Sequence, residues 1–147
     1  MDNVFRYVEK CLYKYPLNVN RLGVLKEDLR LLRINGDVKA QQYEQPCTGT
    51  FYSPVEEHLI KIQGMEQKIK QLEKTTAPIT ALMKNIADNQ KFKRNQEYRI
   101  LLEMFYFGGA SISEIAGELH VSNSTLLRRR RALIKKTASY LGLELSR

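Results

Sequence analysis

Four consecutive arginines, Arg128, Arg129, Arg130 and Arg131, follow closely on Ser122-Asn123-Ser124. A guanidinium can grip phosphate oxygens or the O6/N7 edge of guanine with two parallel hydrogen bonds. Short polar side chains at a helix start can reach base edges, and the backbone N–H groups beside them favour phosphate. The chemistry on offer is recognition of a polyanion, not the making or breaking of bonds. A helix turns by about 100° per residue. A helix beginning near residue 123 therefore places Ser124, Arg128, Arg131 and Lys135 on one side, with Leu127 at the edge. Leu126, Leu133 and Thr137 fall on the opposite side and are expected to face a core. Four successive arginines spread over most of the circumference, so they cannot all face one ligand. Arg128 and Arg131 are expected to contact bases or phosphates. Arg129 and Arg130 are expected to lay their stems over apolar surface, with their heads in water or near Glu114 and Glu118. They remain candidates for phosphate contacts, together with Ser111 and Ser113.

The elements that must position this face can be read in the same stretch. Ser111 or Ser113 can cap a short helix whose apolar residues are Ile112, Ile115, Ala116 and Leu119. Ala116 suits a close helix crossing. His120 stands where the chain must turn, and Val121 pins that turn to the core. Ser122 then caps the second helix. A helix, a tight turn and a basic second helix are the sequence form of a helix-turn-helix, which places its second helix in the DNA major groove. Upstream, Tyr98, Leu101, Leu102, Phe105 and Tyr106 predict an apolar support helix ending at Gly108-Gly109.

The remainder of the chain has helical periods and no strand-like alternation, so the fold class is all-α. Val4, Phe5, Val8, Leu12 and Tyr15 give one apolar face, which Pro16 is expected to end. Leu22, Leu25, Leu29 and Leu32 form the next stripe, with Asn35-Gly36 as its stop. These two elements predict an N-terminal helical hairpin. Residues 36–53 show no period and are expected to form a loop. Ser53-Pro54-Val55-Glu56 reads as a helix start with a capping box. From there Ile62, Met65, Ile69, Leu72, Thr76, Ile79, Met83 and Ile86 keep a heptad, a seam that can pair with a second subunit or with the N-terminal helices. Pro78 is expected to kink this long helix or to restart it.

The chain has 147 residues, a formal charge of +8 and a pI near 9.5. The excess is uneven: residues 1–90 carry 13 basic against 11 acidic side chains, residues 91–147 carry 11 against 5. Most of the positive charge thus travels with the arginine-bearing segment, which favours a nucleic-acid partner. Cys11 and Cys47 lack metal-ligand spacing and suit a reducing compartment. No stretch is apolar enough to span a membrane, and the expected location is the cytoplasm. No Ser/His/Asp set, phosphate loop or carboxylate cluster with metal spacing is visible, so no enzyme, cofactor or metal is expected. Glu56-Glu57-His58 reads as solvated charge at a helix start.

The segment ISEIAGELHVSNSTLLRRRRALI, residues 112–134, resembles the C-terminal helix-turn-helix of sigma-factor region 4 and its phage-encoded relatives. The wider layout resembles the RinA-type regulators of phages from Gram-positive bacteria. The matching pieces are Leu12-Tyr13-Lys14-Tyr15-Pro16, the stretch Leu29 to Arg33, Tyr106-Phe107, and His120 to Gly142. Arg129 departs from the aliphatic residue usual at its place. The resemblance implies a sequence-specific activator of phage late genes in a bacterial cytoplasm. Double-stranded DNA is then the partner and host RNA polymerase a further candidate. The competing class is the small DNA-recognition subunit of a phage packaging machine. The basic segment 89–96 and the charge split predict a boundary there. Residues 1–90 would form a helical assembly or regulatory region that dimerises through the long helix, and 91–147 the DNA-binding domain.

Overall fold

A computed structural model describes residues 3–42 and 54–145. All regular structure among them is helical. Helix α1 spans Asn3–Gln42, α2 Pro54–Asp88, α3 Lys93–Ile100, α4 Ile112–Leu119 and α5 Asn123–Tyr140. A π-helical turn, Leu101–Tyr106, prolongs α3. The chain forms two compact units: residues 1–17 with 75–147, and residues 18–74.

Neither Pro16 nor Asn35-Gly36 ends a helix. Both lie inside α1, so the hairpin expected within the first 35 residues is one continuous helix. The apolar spacing explains why. Val8, Tyr15, Leu22 and Leu29 recur every seven residues, so the heptad passes through Pro16 without a change of phase. Proline inside a helix costs about 3 kcal/mol, and continuous packing of a seam this long can offset it. Pro78 lies likewise within α2, between Thr76 and Ile79 of an unbroken heptad. The expected loop 36–53 is thus helical up to Gln42. The expectations for Ser53 as a cap and for Cys47 lie outside the described residues.

In the second unit α1 and α2 run antiparallel. Lys26 Nζ lies 3.2 Å from a Glu73 oxygen, and Arg33 lies 2.7 Å from Glu66. These pairs are half exposed and stabilise little on their own. Between them Leu29 and Ile69 are buried. In the first unit Val8, Cys11 and Leu12 of α1 share one core with Ile79, Leu82 and Ile86 of α2. The Tyr15 hydroxyl meets Thr80 Oγ1 at 2.7 Å. Of the α2 seam, Ile69, Thr76, Ile79 and Ile86 are buried, whereas Ile62, Met65, Leu72 and Met83 are half-buried. A homodimer through residues 62–86 would need those buried side chains released.

That first-unit core also contains Tyr98, Leu101, Leu102, Tyr106, Ile115, Ala116, Leu126, Leu133, Ile134 and Ala138. The sequence boundary near residue 90 does not divide it. The basic joint is itself a tied turn. Buried Asn95 donates from Nδ2 to the Asn89 carbonyl at 3.0 Å, and Gln96 Nε2 to the Gln90 carbonyl at 2.7 Å. The π turn is marked by the Phe107 N–H donating to the Leu102 carbonyl at 2.9 Å. At its end a Cβ on Gly108 would stand 2.9 Å from the carbonyl oxygens of Glu103 and Met104, and Gly109 has φ +74°. Only glycine fits this exit without strain.

Residues 91–147 cut from the chain would lose Val8, Leu12, Ile79, Leu82 and Ile86, all nearly or fully buried. The fragment is expected to show little cooperative structure by circular dichroism and urea melting. A sharp melt matching the full chain would contradict this division of the core. In the full chain, Leu12→Ala should cost about 2–5 kcal/mol, read as a lower urea midpoint.

Candidate nucleic-acid interface

Helices α4 and α5 are set by three local devices. Ser111 Oγ accepts the Glu114 N–H at 3.2 Å, capping α4. His120 closes α4 in the left-handed region, with φ 56° and ψ 43°. The next residue, Val121, sends its N–H back to the Ala116 carbonyl at 3.0 Å, completing a Schellman-type exit. Ser122 Oγ then accepts the Thr125 N–H at 3.2 Å and caps α5. The Asn123 amide donates to Ser113 Oγ at 3.4 Å, joining the start of α5 to the start of α4. Buried Ile115 and Ala116 on α4, and Leu126 and Leu133 on α5, belong to the common core. The buried Thr137 hydroxyl donates to the Leu133 carbonyl at 2.8 Å, so it faces the core without an unmet hydrogen bond. At the far end Gly142 takes φ +74° while the Leu143 N–H reaches the Ala138 carbonyl at 2.8 Å.

The outer face of α5 collects the residues singled out from the sequence. Ser122, Asn123, Ser124, Leu127, Arg128, Arg131 and Lys135 are all exposed. Arg128 reaches Thr125 Oγ1 only at the outer hydrogen-bond limit of 3.5 Å. No ion pair with a carboxylate holds Arg128, Arg131 or Lys135 among the described residues. Ser111 and Ser113 are exposed at the start of α4.

The middle two arginines are turned inward. Arg129 Nε lies 2.8 Å from Glu97 Oε2, whose side chain is only 9% exposed. The N–H does not point along the contact, so this is an ion pair without an aligned hydrogen bond. Arg130 donates from Nε to Glu9 Oε2 at 3.0 Å and also from its terminal nitrogen to the same oxygen. The Tyr106 hydroxyl donates to that carboxylate at 2.8 Å and accepts from Arg130 Nε at 3.3 Å. The guanidinium lies 5.2 Å from the Phe105 ring centre and 5.7 Å from that of Phe5. Neither head pairs with Glu114 or Glu118; each is held instead by a carboxylate of another helix. Their counter-charges come from α1 and α3, about 120 and 30 positions away, which helical periodicity in one segment cannot reveal. The available signal was an acidic residue, Glu9, beside the apolar face of α1, and Glu97 inside a basic stretch.

Burial pushes the Tyr106 phenol well above its ordinary range, only partly opposed by the hydrogen bond from Arg130. Burial lowers the Arg130 guanidinium, but the hydrogen bonds to Glu9 and Tyr106 outweigh it and leave the group raised. Lys136 is drawn to the Tyr98 ring, its Nζ 5.8 Å from the centre. Among the described residues no group of three or more His, Cys, Asp or Glu gathers as metal ligands would. No described helix is long and apolar enough to cross a membrane. No protein-family model, curated protein or solved structure matches the chain.

Two outcomes follow from the inward arginines. Glu9→Gln or Arg130→Met should lower stability by about 1–3 kcal/mol, the range for a partly buried polar group losing its partner. Equal urea midpoints for wild type and both variants would contradict the clasp. The Tyr106 phenol, raised in the folded chain, holds its proton after the unfolded phenol has lost it. Its contribution is full below about pH 10 and declines as pH rises beyond. Tyr106→Phe should flatten the loss of stability between about pH 10 and 12, measured by urea melts across that range.

Proposed function

We propose that α4, the turn and α5 act as a helix-turn-helix that binds duplex DNA, and that the protein regulates transcription through it. The observation that carries this reading is the opposition of faces on α5. Leu126, Leu133, Ile134, Thr137 and Ala138 are buried, while Ser124, Arg128, Arg131 and Lys135 stand exposed with no carboxylate partner among the described residues. Arginine and lysine left unpaired along one helix edge suit phosphates and guanine edges. The open N-terminal turn of α5, flanked by Ser122, Asn123 and Ser124, adds a positive dipole end for phosphate. The resemblance of residues 112–134 to sigma-factor region 4, and of the wider layout to RinA-type regulators, directs the reading toward an activator of phage late genes. Host RNA polymerase is then the second macromolecule to be touched.

The test is selection of bound duplexes from a random library, followed by titration of the best sequence at several salt concentrations. Affinity should fall steeply with salt, with a logarithmic slope of roughly −0.9 per phosphate contacted. Arg128→Ala or Arg131→Ala should each cost about 1–3 kcal/mol and relax preference at one base pair. Lys135→Ala should weaken all sequences alike and flatten the slope by about one. Absence of duplex binding at low salt, or two arginine variants that keep full affinity and preference, would overturn the proposal.

A further inference from the structure

Helix α1 carries a second apolar stripe that its own chain does not cover. Leu17, Val24 and Leu31 follow one another at seven-residue steps and are 51%, 58% and 44% exposed. They lie on a different side of α1 from Leu22, Leu25, Leu29 and Leu32, the stripe that carries buried Leu29. Ile34 extends the outer stripe and is also exposed. Isolated exposed apolar side chains are ordinary, but these three recur at one of the two heptad positions by which helices pair; the other position holds Asn20, Glu27 and Ile34. The second unit gains little from its inner seam alone, where only Leu29 and Ile69 are buried among the described apolar residues.

We propose that this stripe pairs with the same stripe of a second copy of the chain, antiparallel, with the two-fold axis at Val24. The charges choose this arrangement. Around α1, Arg21 and Asp28 flank the stripe on one side, Asn20 and Glu27 on the other. With Val24 against Val24 of the second copy, Leu17 meets Leu31 of that copy and Arg21 stands level with its Asp28. The two-fold axis makes this ion pair twice. Arg21 and Asp28 are exposed and have no ion-pair partner in their own chain among the described residues. Centring the axis midway between Val24 and Leu31 would instead bring Asp28 against Asp28 of the second copy. A parallel pairing would set Asp28 level with Glu27 of the second copy and Arg21 level with its Asn20, leaving two acids opposed and Arg21 unmatched. Gly23, next to the axis, adds no side chain, and a shallow hollow lies there between Val19, Asn20, Val24, Glu27 and Asp28. The helix of the second copy can approach closely at that point.

The experiment is light-scattering mass measurement on the full chain without DNA, so it does not depend on the proposed function. At tens of micromolar the mass should be twice 17.1 kDa. Val24→Glu should return the monomer mass with unchanged helix content by circular dichroism, since residue 24 is exposed in the single chain. Arg21→Glu and Asp28→Arg should each weaken dimerisation by roughly tenfold, and the two together should restore it. A wild-type chain of monomer mass would overturn the proposal. So would a dimer indifferent to Val24→Glu, or a double charge reversal no tighter than the single ones.

Discussion

Arg130 and Glu9 are 121 positions apart in the chain, and their ion pair ties α5 to α1 beside the buried apolar face of α5. The pair is closed off by the Tyr106 hydroxyl and by the rings of Phe5 and Phe105. An arginine so enclosed cannot swing out to a ligand without leaving a carboxylate stranded, which is costly. With Arg130 held to α1 and Arg129 to Glu97 of α3, rotation of α5 about its axis is blocked from two directions. Together with the buried apolar face of α5, these ties leave Arg128 and Arg131 facing outward. The run of four equal residues thus divides into two that hold the helix and two that it presents.

The same dependence on distant residues governs the core. The short helices α3, α4 and α5 bury Leu101, Ile115, Leu126 and Leu133 against one another. Val8, Leu12, Ile79, Leu82 and Ile86 complete the enclosure from the first and second long helices. A segment of some fifty residues is near the lower limit for a self-sufficient core. The segments before and after residues 18–74 supply what it lacks. The two long helices are therefore part of the scaffold that carries the exposed basic face.

Local signals in the sequence were informative wherever the cause was local. Ser111 and Ser122 as caps, His120 as the turn residue, the Gly108-Gly109 exit and the opposed faces of α5 depend on neighbours within a few positions. Each was legible from residue type and spacing, although the π turn after Ile100 was not. The prolines misled because their effect was weighed alone. Pro16 and Pro78 each sit inside a heptad that continues in phase on both sides, and the seam decides the outcome. The fates of Arg129 and Arg130 were not legible, because Glu97 and Glu9 are brought to them by the tertiary fold. The α2 heptad announced a helical partner without saying whose, and Ile79 and Ile86 of it share a core with Val8 and Leu12 of α1.

The arginine run divides into Arg129 and Arg130, which hold α5, and Arg128 and Arg131, which are proposed to meet DNA. The most direct measurement is nuclear magnetic resonance of the four arginine Nε–H groups as a mixed-sequence duplex about two helical turns long is added. The account predicts that the Arg128 and Arg131 signals shift and slow in exchange, while those of Arg129 and Arg130 keep their DNA-free positions. Shifts confined to Arg129 and Arg130, or no shift in any of the four, would contradict it.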